Sequence, residues 1–307
     1  MKKILTATQL IEDMKKRGIR FEVLCEDEAI DYLKTHNYYM NVAAYRSNYS
    51  KCEDGARKGQ YQNLDFGYLV ELSEIDLELK HIIFGMCLDI ERAIKTQILS
   101  HVSEINDEDG YRIMQSFLSK ERDLKYITEL RKTSKSLFCR DLVSKHYPYF
   151  PLWVFVELIS FGTLIFLYSF YGDYYSIDIV DNKSMNIVRD LRNAAAHNNC
   201  ILNQIYSKID NSKQTSSDIT KFIQSIDSIS KTSRRNNLKS TLSYNIVTLI
   251  YVYKTIVPND VAIKRFSELK KFMEGRVVEN SRFFIGNTKL TSTYTFFKKI
   301  IDNLCEK

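Results

Sequence analysis

The chain has 307 residues with only 10 Gly and 3 Pro, a formal net charge of +6 and a pI near 8.8. So few turn-formers favour long helices and exclude a many-stranded β fold. The mild basicity admits nucleic acid as a partner and excludes a histone-like tail.

Six cysteines, Cys25, Cys52, Cys87, Cys139, Cys200 and Cys305, are scattered with no C-x-x-C pair. Neither a zinc site nor a disulfide framework is expected from that spacing. The opening MKKILTATQLIEDMKKRG is basic, but its apolar stretch is short and soon broken by charge. It does not read as a signal peptide, and a reduced, cytoplasmic protein is the expectation.

In chain order, Leu10, Ile11 and Met14 at helical spacing predict a helix over Thr8–Lys16, with Gly18 as its stop. A second short helix is expected over Glu26–Thr35, its acids in the first turn where the macrodipole favours them. Residues 33–50 are Tyr-rich and hold His36 and Arg46, and the polar residues 51–63, with two glycines, read as a loop and segment boundary. From Tyr68 to Ile105 apolar residues recur at three and four, which predicts one long helix or two abutting ones. Glu91 and Lys95 stand one turn apart on it, most simply as a solvated pair. Two more helical patterns follow, over 111–118 and about 120–145.

The run from Leu152 to Tyr171 is nearly long enough to span a bilayer. Glu157, Ser160, Gly162, Thr163 and Ser169 interrupt it, and no basic cluster flanks it, so a buried core helix is expected rather than a membrane span. Gly162 would let a neighbouring helix come close.

The stretch Ser184–Cys200, SMNIVRDLRNAAAHNNC, lacks Pro and Gly and contains three consecutive alanines, so it reads as a helix. Arg189, Asn193 and His197 fall on one stripe at intervals of four. Arg192 lies about 140° round from His197, but its long stem can swing the guanidinium back. Only methyl groups surround these polar heads, so a second helix could approach closely. A cation, an amide and a histidine gathered there suit an RNA phosphodiester. Taken on its own, His197 reads more readily as a capping or buried structural histidine near a helix end, where basic groups are favoured.

Beyond residue 203 helices are expected over Ser217–Thr232, Asn237–Ile256, Asp260–Gly275 and Ser292–Cys305, with Pro258 at one break. Arg234 and Arg235, with Lys239, form one basic group, and Lys264, Arg265, Lys270 and Lys271 form another. These suit phosphates, although solvated helix faces are the commoner explanation.

PLWVFVELISFGTL followed by VRDLRNAAAHNNCILN resembles the Abi-like family of phage abortive-infection proteins, the AbiD/AbiF group. HNYYMNVAAYRSNYS and DLELKHIIFGMCLDIERAIKTQI resemble that family's Tyr-rich opening segment and long central helix, so the likeness covers roughly residues 5–205. It implies an all-α fold of the HEPN type, with additional N- and C-terminal helices. The implied organisation is an N-terminal segment over 1–62, a HEPN-like core over 63–205 and a C-terminal region over 206–307. The superfamily signature is an arginine, four to six residues, then a histidine, which places Arg192, Asn193 and His197 in the catalytic role. RDLVSKH, Arg140 to His146, fits the same loose spacing, but it sits on a charged segment without likeness to the catalytic position. Where partner-silenced HEPN toxins carry a modifiable tyrosine two residues after the histidine, this chain has Asn199. That mode of silencing is not expected.

What the resemblance implies is an endoribonuclease needing neither metal nor cofactor. The RNA 2′-hydroxyl is the nucleophile, His197 its general base, Arg192 the phosphate holder and Asn193 an orienting amide, leaving a 2′,3′-cyclic phosphate. One histidine cannot easily serve as base and acid together, so a homodimer pairing two motifs is implied. RNA is the expected partner, as substrate and also as a small structured non-coding RNA that guides or silences. Arg189, Glu91, Lys95, Arg234, Arg235, Lys270 and Lys271 are candidates for its contacts. The other reading is a non-catalytic RNA-binding or protein-interaction module in phage defence.

Overall fold

The computed structural model describes residues 3–119, 126, 130, 135, 137–203, 205, 207–209 and 216–306. Among them the protein is all-α, with helices and isolated bridges and no strand. Two compact units form, one from residues 1–85, 191–251 and 260–307, the other from residues 86–190 and 252–259. The chain crosses between them within helices Phe66–Ser103, Asn182–Ala196 and Thr241–Ile256 and at the start of helix Asn259–Glu274.

In the first unit, helix Ala7–Lys16 starts at a capping box in which the Thr6 hydroxyl accepts from Gln9 N and the Gln9 side chain accepts from Thr6 N. Two orphan N–H groups are thereby satisfied. Helix Glu26–Thr35 matches the expectation from its acidic first turn. The polar 51–63 segment is a turn-rich loop pinned by a Lys51–Tyr61 bridge. Asp65 then starts the long helix, accepting from Gly67 N and from Glu22 N, each at 2.8 Å. Leu69, Leu72, Ile75, Leu79 and Ile83 form the buried stripe of that helix in this unit. Arg276 reaches back to Glu71 and to Glu78, the latter at 3.0 Å. The C-terminal helices are Ser217–Gln224, Lys231–Asn237, Thr241–Ile256, Asn259–Glu274 and Thr288–Cys305. The helix expected over Ser217–Thr232 is thus shorter, ending before Ser230 caps a new one by accepting from Ser233 N at 3.2 Å.

In the second unit the long helix continues without a break, burying Ile90, Ile94, Ile98 and Val102. The apolar run after Pro151 is two helices, Leu152–Leu158 and Phe161–Tyr175. Ile159 and Ser160 are extended between them, and the Ser160 hydroxyl caps the second by accepting from Thr163 N. A residue that can serve as N-cap thus ends one helix and starts another inside an apolar sequence. No helix among the described residues is long and apolar enough to cross a membrane. Trp153 packs against Gly110, where φ is +74° and an added Cβ would lie 2.7 Å from the indole. Only glycine suits that turn. Part of the pattern expected over 120–145 lies outside the described residues; its end is helix Arg140–His146.

Candidate functional site

Helix Asn182–Ala196 is started by Asp181, whose carboxylate accepts from Ser184 N at 2.9 Å and from its hydroxyl at 2.7 Å. Met185, Val188 and Leu191 are its buried face, which leaves the Arg189–Asn193–His197 stripe off the core. Arg192 and Asn193 are half-buried, and His197 is exposed. The Arg192 guanidinium does turn towards Asn193: Nη1 donates to the Asn193 Oδ1 at 3.3 Å, and the group lies over the Phe84 ring at 5.8 Å. Its Nε is buried with no acceptor. The His197 side chain hydrogen-bonds to nothing among the described residues, so its ring serves neither as a cap nor as a core histidine.

The helix end explains the two asparagines after the histidine. Asn199 N donates to Ala194 O at 2.9 Å and Asn198 N to Ala195 O at 3.2 Å, with Asn198 left-handed at φ 53°. This is a Schellman ending, and asparagine is the usual substitute for glycine at its left-handed position. His197 is therefore the last residue before the reversal, on backbone that the ending holds fixed.

Two buried charges on the long helix secure that reversal. Lys80 Nζ donates to the Asn198 Oδ1 at 2.6 Å and pairs with Asp76 at 3.2 Å. Asp76, fully buried, also accepts from the Tyr45 hydroxyl at 2.7 Å, from Ile201 N at 3.2 Å and from Leu202 N at 2.9 Å. A buried carboxylate with four donors is satisfied rather than stranded. Burial and the Asp76 charge push the Tyr45 phenol far up, so it remains a donor. Burial also raises the Cys200 thiol, whose Sγ donates to Asn41 O at 3.5 Å, so this cysteine is a poor nucleophile. Asp76, Lys80 and Phe84 escaped sequence reasoning. Their only signal was an acid and a lysine four apart on the long helix, the same spacing as Glu91 and Lys95.

The remaining candidates are spread over both units. Glu91 and Lys95 belong to the second and pair with each other at 3.2 Å. Arg189, also in the second unit, pairs with its neighbour Asp190 at 3.0 Å. Arg234 and Arg235 line a hollow of about 320 Å³ in the first unit with Lys231, Lys239, Thr220, Gln224 and Leu238, with no carboxylate among the described lining residues. Lys270 lies 3.9 Å from Asp302, and Lys271 is exposed. No group of three metal-ligating side chains gathers among the described residues.

A family model described as Abi-like protein matches residues 31–203, more than half of the 307-residue chain. The matched span includes Asp76, Lys80, Phe84 and the whole helix end from Arg192 to Leu202. No curated protein and no solved structure matches.

Proposed function

The chain belongs to the Abi-like family of abortive-infection proteins, and on that premise we propose that it is a metal-independent endoribonuclease of the HEPN kind, acting against phage. The observation that carries this reading is the helix end itself. An exposed histidine, unbonded among the described residues, stands one turn from an asparagine that is hydrogen-bonded to a guanidinium with a buried N–H that has no acceptor there.

RNA brings its own nucleophile beside the scissile phosphate. His197 takes the 2′-hydroxyl proton, the 2′-oxygen attacks phosphorus, and the bond to the 5′-oxygen breaks. Arg192 holds the non-bridging oxygens as their charge grows. Asn193 fixes the guanidinium through the 3.3 Å bond. The products are a 2′,3′-cyclic phosphate and a 5′-hydroxyl, and the leaving oxygen needs a proton. A second copy of the motif supplies it in a two-fold homodimer, with the half-buried Ala194 and Ala195 and the exposed Ala196 permitting close approach. Analytical ultracentrifugation tests this: a monomer with full nuclease activity at micromolar concentration contradicts it.

A second reading, a non-catalytic RNA-binding module, is favoured by the hollow of Arg234, Arg235, Lys231 and Lys239, which gathers four cations among the described residues. In the nuclease reading the same hollow, with Lys270 and Lys271, grips the backbone of a substrate or of a small structured RNA. Binding that falls steeply with salt supports those contacts, and Arg234→Ala/Arg235→Ala should flatten the slope by about two counter-ions.

A further inference from the structure

A second polar cavity in the first unit has no part in the chemistry above. It offers about 250 Å³ and is lined from two stretches of chain, residues 20–68 and 282–289. Arg20, Arg282 and Lys289 are among its lining residues, and no carboxylate is among the described ones. Arg20 makes only an exposed 3.4 Å contact with Glu22, a pair too weak to cancel its charge. The first turn of helix Thr288–Cys305 opens on the same space through Thr288 and Lys289, and the positive end of an 18-residue helix adds to the field.

Two features point to a ligand rather than to a solvated basic patch. The Tyr49 hydroxyl, on a side chain lining the cavity, is buried with no hydrogen-bond partner. Burial raises its pKa far above the ordinary range, so it is a donor lacking an acceptor. One wall is aromatic: Tyr68 and Phe283 stack at 5.0 Å, and the Arg282 guanidinium lies 5.3 Å from the Phe283 ring centre. A guanidinium on an aromatic surface suits a base as well as an anion. The volume exceeds what orthophosphate needs and approaches the lower end for organic ligands, about 300 Å³.

We propose that this cavity binds a nucleotide through its phosphate, either a free mononucleotide or the 5′-phosphorylated end of an RNA strand. The phosphate takes donors from Arg282, Lys289, Arg20 and the Tyr49 hydroxyl, and the base lies along Tyr68 and Phe283. Asn48 lines the cavity and also donates to Leu202 O at 2.8 Å and accepts from Ile205 N at 3.0 Å. An occupant is thus one side chain from the segment that leaves His197. The site does not depend on the nuclease reading, because none of Arg192, Asn193 and His197 lines it.

The test is isothermal titration of the full chain with AMP, adenosine, and 2′-O-methyl tetranucleotides bearing a 5′-phosphate or a 5′-hydroxyl. Phosphate-bearing probes should bind at least tenfold tighter than their phosphate-free partners. Arg282→Ala/Lys289→Ala, at two exposed positions, should remove most of that difference with the thermal midpoint unchanged, and Tyr49→Phe should weaken AMP several-fold. His197→Ala should leave AMP binding intact, so failure of the nuclease reading would not touch this one. A tetranucleotide 5′-phosphate bound tighter than AMP assigns the site to RNA ends, and the reverse assigns it to free nucleotide. Equal binding of phosphorylated and phosphate-free probes overturns the proposal, and so does AMP affinity indifferent to Arg282→Ala/Lys289→Ala.

Discussion

Lys80→Met is the substitution that most directly tests how the His197 turn is held. Methionine keeps the length of the side chain and removes the ammonium. Lys80 is 3% exposed and Asp76 is fully buried, so water cannot replace the lost partner. Asp76 would retain the Tyr45 hydroxyl and two backbone N–H donors but lose its counter-charge, and the Asn198 Oδ1 would lose its 2.6 Å donor. Breaking one side of a buried pair costs about 3–5 kcal/mol. A solvated pair such as Lys221–Asp218, whose side chains are 74% and 56% exposed, contributes about 0–1 kcal/mol. Urea unfolding followed by circular dichroism should therefore show a severe loss for Lys80→Met and almost none for Lys221→Met. Asp76→Asn should also be costly, since it strands the ammonium, and Asp76→Asn/Lys80→Met should cost less than the two singles summed. If Lys80→Met costs about 1 kcal/mol or less, or the double variant equals the sum, the buried pair is not what holds this turn.

Three further outcomes are expected. Gly110→Ala should lose more than about 1 kcal/mol, because a left-handed φ and the Trp153 ring both oppose a methyl group; the fluorescence of this sole tryptophan reads the loss, and an unchanged midpoint contradicts it. Cys200 should be alkylated at least ~10-fold more slowly than exposed Cys25, as its thiol is raised by burial; equal rates in peptide mapping would count against the packing described. Asp109, accepting from Tyr111 N and Arg112 N, is held below the usual carboxylate range by those backbone bonds. Its contribution to holding the start of helix Arg112–Leu118 is complete above the ordinary aspartate value of about 3.9 and is lost as pH falls through the lower folded midpoint. A carboxyl NMR titration with a midpoint at or above 3.9 would refute this.

Much of the fold is legible because it rests on local signals. The scarcity of Gly and Pro, the apolar spacing from Leu69 to Ile98 and the acidic first turn at Glu26 each act over a few residues, and the helices lie where they indicate. The break at Ser160 was hidden by the hydrophobicity on either side, although a serine three residues before Thr163 is a local cap signal. Arg192, Asn193 and His197 stand out by spacing and resemblance. The network behind them does not: Asp76–Lys80 and Glu91–Lys95 have the same i,i+4 spacing on one helix, and only tertiary neighbours distinguish them. Those neighbours, Tyr45 and the Asn198–Leu202 turn, lie 31 and more than a hundred residues away, beyond the reach of any local pattern. Asn198 could have been read as a left-handed helix stop, since asparagine is the usual substitute for glycine there.

The central claim, that the helix end at His197 cleaves RNA, is tested most directly by incubating wild type, Arg192→Ala and His197→Ala with total RNA in EDTA. The account predicts that only the wild type cuts, leaving 2′,3′-cyclic phosphate ends. Cleavage undiminished in His197→Ala, or no cleavage by any of the three while a discrete RNA co-purifies with each, would contradict it and leave a binding module in place of a nuclease.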